Sequence, residues 1–238
     1  MGYLKVDDQE TRIYIEDGMD FPLQKIIKNA KILQALVGKP VGAIVQGTQG
    51  LSDGARVPLL QASMDADALN EYTYRSLNDQ GATLIVTHGA GNNDAVKAMQ
   101  LGKQLGHQYP NLSLLSLGSP LSDRKMQVAS SDAGVNYLGQ VNDWRDPVTH
   151  PKLWVLGTGV AGVGGLAAGI AAAPNTGGGS LIAYISAFSG GSFGFGVGLG
   201  MGSGLGVLAI NKYHAMSNYF SKPKSQSIMF DWIKNQNE

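Results

Sequence analysis

Ile85-Val86-Thr87-His88-Gly89-Ala90-Gly91-Asn92 takes the chain from an apolar strand through a turn of small residues and into a helix. Thr83 to Thr87 is a short continuous apolar run, the pattern of a strand covered on both faces. From Asn92 to His107 the apolar positions Ala95, Ala98, Met99, Leu101 and Leu105 recur at helical spacing, with Asn92 or Asn93 as the N-cap. Outward from this corner, Val41 to Val45 and Leu112 to Leu117 are two more buried runs, and Val135 to Val141 supplies another strand. Phe21 to Leu36, behind Pro22 and ended by Gly38 and Pro40, reads as a helix. So does Val57 to Leu77, whose Pro58 suits only a first turn.

Strand and helix thus alternate along the chain, which predicts an α/β fold: a mainly parallel sheet with helices on both faces. Two pieces lie outside the alternation. Tyr3 to Asp8 and Glu10 to Glu16 alternate roughly in polarity and read as an N-terminal hairpin. Ser225 to Glu238, with Ile228, Met229, Trp232 and Ile233, reads as a short docking helix. Ligands of parallel sheets sit at the carboxyl ends of the strands, so the loops after Val45, Thr87, Leu117 and Val141 are expected around one crevice.

Composition narrows the function classes. A length of 238 residues with 43% hydrophobic residues is enough for one α/β domain, expected over 1–238. Lys and Arg (18) balance Asp and Glu (18), so no net field favours nucleic acid as a partner. The absence of cysteine removes disulfides, thiolate metal sites and cysteine nucleophiles. Met1 to Asp8 lacks the apolar core of a signal peptide, so the expected location is the cytoplasm, or the outside by way of a dedicated secretion system.

Between Lys152 and Lys212 no charged residue occurs, and Gly, Ala, Leu and Val dominate. Leu153 to Ala173 and Leu181 to Ile210, separated by the break at Pro174 to Gly179, are each about 20 residues or more, the length that spans a bilayer. Their glycine and alanine also suit a protein-buried helical pair or a lid. The segment 153–211 is therefore read as a Gly/Ala-rich lid or membrane-interacting insertion.

Several glycine motifs compete for the chemistry. Gly50-Leu51-Ser52-Asp53-Gly54 and Gly190-Gly191-Ser192-Phe193-Gly194 both spell G-x-S-x-G. The first begins several residues after its strand, however, and the second lies in low-complexity sequence. Gly157-Thr158-Gly159-Val160-Ala161-Gly162 spells a dinucleotide fingerprint but lacks the acidic residue about 20 positions later that would hold a ribose. No cofactor and no metal are expected. Thr87-His88-Gly89-Ala90-Gly91 departs from G-x-S-x-G by letters, yet it has the strand, corner and helix of a nucleophile elbow, with Gly89 where serine would stand. Asp146, in a loop after a strand, and His214, late in the chain, complete the order nucleophile, acid, histidine. A turn-forming Asp-Pro and a surface or capping histidine are the plain alternatives.

Taken together, Thr87 to Asn92, Gly118-Ser119-Pro120, Asp146-Pro147-Val148 and His214-x-Met216-x-Asn218-Tyr219 resemble lipase-type α/β-hydrolases over about residues 40 to 220. They are especially similar to the lipase-like domains of bacterial secreted effectors and polymorphic toxins. The resemblance implies that Gly47 and Thr48 lie in the oxyanion loop after the third strand, that Ala90 follows the nucleophile position, and that Asp146 and His214 complete the triad. His88 becomes the variable residue before the nucleophile. The implied function is a serine esterase or lipase, of phospholipase type, acting on a lipid or ester and paired with an immunity-type protein. The chain departs from this pattern at Gly89, which predicts an inactive form. The alternative is a non-catalytic, hydrolase-like protein that binds a membrane or a partner, with Gly89 as its native residue.

Overall fold

The apolar runs around residue 89 become the centre of one six-stranded sheet in the computed structural model, which describes residues 2–5, 10–17, 23–45, 66–146, 148–149 and 213–236. In chain order the described elements are β1 (Gly2–Lys5), β2 (Ile13–Glu16), α1 (Leu23–Val37), β3 (Val41–Val45), α2 (Ala66–Asp79) and β4 (Leu84–His88). There follow α3 (Gly91–Gln104), β5 (Ser113–Leu117), α4 (Asp123–Asp132), β6 (Asn136–Val141), α5 (Met216–Phe220) and α6 (Pro223–Asn235). The strand order is β1-β3-β2-β4-β5-β6. β3, β2, β4, β5 and β6 run parallel, and β1 joins the edge antiparallel to β3. The expected α/β architecture is therefore present: a mainly parallel sheet with its carboxyl ends aligned.

The chain divides into two units, one of Met1–Gln49, Asp65–Asn142 and Met216–Glu238, the other of Gly50–Met64 and Asp143–Ala215. The sheet belongs to the first. On one of its faces α1, α5 and α6 bury a cluster that includes Leu33, Phe220 and Trp232 against Ile15, Val86 and Leu115. On the other, Tyr74, Met99 and Met126 of α2, α3 and α4 cover Tyr14, Ile85 and Leu114. Ile15, Leu33, Val86 and Leu115 have no exposed surface, and each such side chain contributes about 1.5–3 kcal/mol relative to exposure.

The structure departs from the sequence reading at four places. The N-terminal hairpin does not form: β1 pairs with β3, while β2 lies between β3 and β4. The Ile13-Tyr14-Ile15-Glu16 alternation looks like a strand with one wet face, but all four residues are buried. Inside the protein Tyr14 donates to the Thr11 carbonyl at 3.2 Å, and one carboxyl oxygen of Glu16 accepts from Tyr74. Helix α3 begins at Gly91, with Ala90 as its N-cap and no capping side chain, so Asn92 lies inside the first turn. Finally, α4 is a helix the apolar pattern did not reveal. Only Met126 and Ala129 are its buried apolar residues, and the Ser122 hydroxyl caps it by accepting from the Lys125 N–H. The expectations for 57–65, for the insertion 153–211, and for Gly47, Thr48, Ser52, Gly157 to Gly162 and Ser192 lie outside the described residues.

Candidate active site

The corner after β4 is built from two glycines with different jobs. Gly89 has φ +55°, the left-handed region in which any L side chain is strained by about 1–3 kcal/mol. A serine on a nucleophile elbow occupies a strained corner of this kind. Gly91, the first residue of α3, is needed for closeness: a Cβ there would stand 2.5 Å from the Glu16 carbonyl oxygen. The helix can therefore start directly over the end of β2.

Asn92 ties the corner to β5. Its Nδ2 donates to the Gly89 carbonyl at 3.0 Å and the Leu117 carbonyl at 3.1 Å. Its Oδ1 accepts from Thr87 Oγ1 at 2.7 Å and Ser116 Oγ at 2.6 Å. All three side chains have no exposed surface. The sequence reading placed Asn92 at this corner but gave it the wrong partner, the helix terminus.

β2 and the residue that follows it supply two buried acids at the same end of the sheet. Asp17 bridges His88 Nδ1 (2.7 Å, Oδ1) and Asn29 Nδ2 of α1 (2.8 Å, Oδ2). The His88 ring lies 5.5 Å from that of Tyr219, so the residue before the turn is packed into the core. Glu16 is fully buried and accepts from the Tyr74 hydroxyl, and no hydrogen-bond partner reaches its Oε1 among the described residues. Burial, reinforced by the Asp94 carboxylate, pushes the Glu16 pKa well above its ordinary value, against the Tyr74 hydrogen bond. Burial lowers the pKa of half-buried Lys25, which Asp17 partly offsets. Neither Glu16 nor Asp17 stood out in the sequence. The clue was two acids closing an apolar run that nothing else showed to be central.

Gly47 and Thr48 are outside the described residues. β3, which they follow, is separated from β4 by β2, so β2 is the strand whose end adjoins the corner on that side. Ala90 is buried beside Gly89, and its N–H has no acceptor among the described residues.

In the second unit, Asp146 and His214 are brought together: His214 Nδ1 lies 2.6 Å from Asp146 Oδ2. A carboxylate only accepts, so His214 Nδ1 is the donor of this pair and Nε2 is the ring nitrogen left to face a substrate. Asp146 is fully buried, and its other oxygen accepts from the Val148 N–H at 2.8 Å. Asp143 holds the preceding turn, taking two side-chain hydrogen bonds from Arg145, Nε at 3.1 Å and Nη2 at 2.9 Å. The Arg145 guanidinium in turn lies 5.2 Å from the ring centre of Tyr213, next to His214. The histidine is thus oriented by an acid whose own loop is braced.

Among the described residues no group of three or more His, Asp or Glu side chains is placed to hold a metal ion. No described helix is long and apolar enough to cross a membrane. Compared with known proteins, the chain matches no family model, no curated sequence and no solved structure.

Proposed function

We propose that the chain is an α/β-hydrolase whose working form is a serine esterase or lipase, of the phospholipase type used by bacterial effectors, with position 89 as the nucleophile position. The observation that carries the reading is the left-handed corner at Gly89, between a buried parallel strand and a helix. The Asp146 to His214 hydrogen bond supports it, since an oriented histidine is the general base such a nucleophile needs.

In this mechanism a serine at position 89 gives its proton to His214 Nε2 as it attacks the ester carbonyl. Asp146 stabilises the imidazolium, and the Ala90 N–H is one donor to the tetrahedral oxyanion. His214 then returns the proton to the leaving alcohol, and water repeats the cycle on the acyl-enzyme. With glycine no acyl-enzyme forms, and loss of a triad member costs several powers of ten in turnover. The uncharged span between Lys152 and Lys212 favours a lipid substrate, because it lies in sequence between the acid and the histidine.

The test is Gly89→Ser, assayed on short-chain nitrophenyl esters and on phospholipid vesicles. Hydrolysis that appears with serine and disappears on Asp146→Ala or His214→Ala is expected. A folded Gly89→Ser protein that cleaves neither substrate refutes the proposal. The second reading, a non-catalytic protein binding a membrane or partner, is favoured by Gly89 itself, which occupies the left-handed corner without strain. It predicts vesicle binding or partner capture by the chain as it stands.

A further inference from the structure

We propose that Asn92 is a positioning residue that aims the Ala90 N–H. The proposal rests on the hydrolase reading of position 89 and adds to it how that donor is oriented.

Residue 89 is gripped at both of its peptide groups. Its N–H donates to the Leu117 carbonyl at 3.2 Å. The same carbonyl accepts from Asn92 Nδ2, whose other hydrogen goes to the Gly89 carbonyl. Gly89 N–H, Leu117 C=O, the Asn92 amide and Gly89 C=O therefore form one closed ring. The Gly89 carbonyl also receives the Asn92 backbone N–H at 3.3 Å.

The sense of the Asn92 amide follows from its partners. Two backbone carbonyls can only accept, so Nδ2 must face them, and the Thr87 and Ser116 hydroxyls then donate to Oδ1. Both ends of the side chain are saturated, and its rotation is blocked.

The consequence comes from peptide planarity. The Gly89 carbonyl and the Ala90 N–H belong to one planar trans peptide and point in opposite directions. Asn92 pulls the carbonyl inward toward β5, and so turns the Ala90 N–H away from it. That N–H has no acceptor among the described residues, as suits a donor kept for a ligand. Asn92 touches no reacting atom in this scheme; it acts by fixing the peptide that does.

Two variants test the idea: Asn92→Leu, close in volume, and Asn92→Ala, which cannot overfill the site. In the Gly89 chain, the residual dipolar coupling of the Ala90 N–H reports its direction, with Ile85 and Leu114 as references. The expected result is an altered Ala90 coupling with the reference couplings unchanged. In the Gly89→Ser background, turnover per serine titrated with a phosphonate ester should fall about a hundredfold at unchanged KM, the size of a small misplacement of a catalytic group. An unchanged Ala90 coupling, or unchanged turnover per titrated serine, overturns the proposal. Loss of the folded spectrum in both variants also overturns it, by making the role of Asn92 purely structural. If Gly89→Ser neither hydrolyses esters nor reacts with the phosphonate, the hydrolase reading fails, while the dipolar coupling still decides whether Asn92 aims the amide.

Discussion

Gly91→Ala sets two effects of opposite sign against each other at one atom. Alanine favours a helix over glycine by about 1 kcal/mol in an interior turn, which would stabilise α3. Against this, the new Cβ would stand 2.5 Å from the Glu16 carbonyl oxygen and 3.1 Å from Glu16 Cγ. Carbon to oxygen contacts settle at about 3.3–3.6 Å, so about 0.8–1.1 Å of movement is needed. β2 cannot supply it, because Glu16 is paired with Ile44 on one side and Thr87 on the other. The first turn of α3 must move instead, carrying the corner with it. Overpacking of this kind costs about 1–3 kcal/mol, which set against the propensity gain leaves a net loss of up to about 2 kcal/mol. In urea unfolding followed by circular dichroism, the midpoint should fall by about 0.5 M at constant slope. Gln100→Ala, on the exposed face of the same helix, should stay within about 0.5 kcal/mol of the parent. A Gly91→Ala midpoint at or above that of the parent would refute the close approach of helix and strand.

Two further outcomes follow from the same corner. Glu16 holds its proton more tightly in the folded protein than in the unfolded chain, so its contribution is complete below about pH 4.5 and is lost as pH rises toward the raised folded value. Above pH 4.5 the stability of Glu16→Gln relative to the parent should therefore climb by up to about 1.4 kcal/mol per pH unit, and parallel curves from pH 4 to 9 would contradict a neutral Glu16. Gly89→Ser should lower stability by about 1–2 kcal/mol, the strain of a left-handed side chain less the entropy that glycine loses on folding. A serine variant as stable as the parent in thermal unfolding would show that the corner relaxes.

The parallel core was legible because β3, β4 and β5 are short apolar runs between amphipathic helices, and such runs signal themselves. β2 was not, since Tyr14 and Glu16 look like solvent-facing residues until the Thr11 carbonyl and the Tyr74 hydroxyl, the latter far away in sequence, are seen to meet them inside the protein. The corner at Gly89 could be read from its neighbours on both sides, as could the order of Asp146 and His214. What held the corner could not: Asn92 fits the profile of a helix cap, and only the arrival of Ser116 and Leu117 on the adjacent strand gives its amide other work. α4 was missed because a helix that buries little apolar surface leaves almost no periodic trace.

The place of β2 also bears on how the protein is assembled. This strand is made early, yet it sits between β3 and β4, and β4 emerges only after α1, β3 and α2 have been synthesised. Until then a nascent β2 paired with β3 presents an open, apolar edge, the kind of surface that invites wrong pairings. Docking of β4 closes that edge and at the same step brings residues 87 to 92 against Glu16. Docking of β4 is thus the precondition of the corner, and β5, which is made later still, completes it through Ser116 and Leu117.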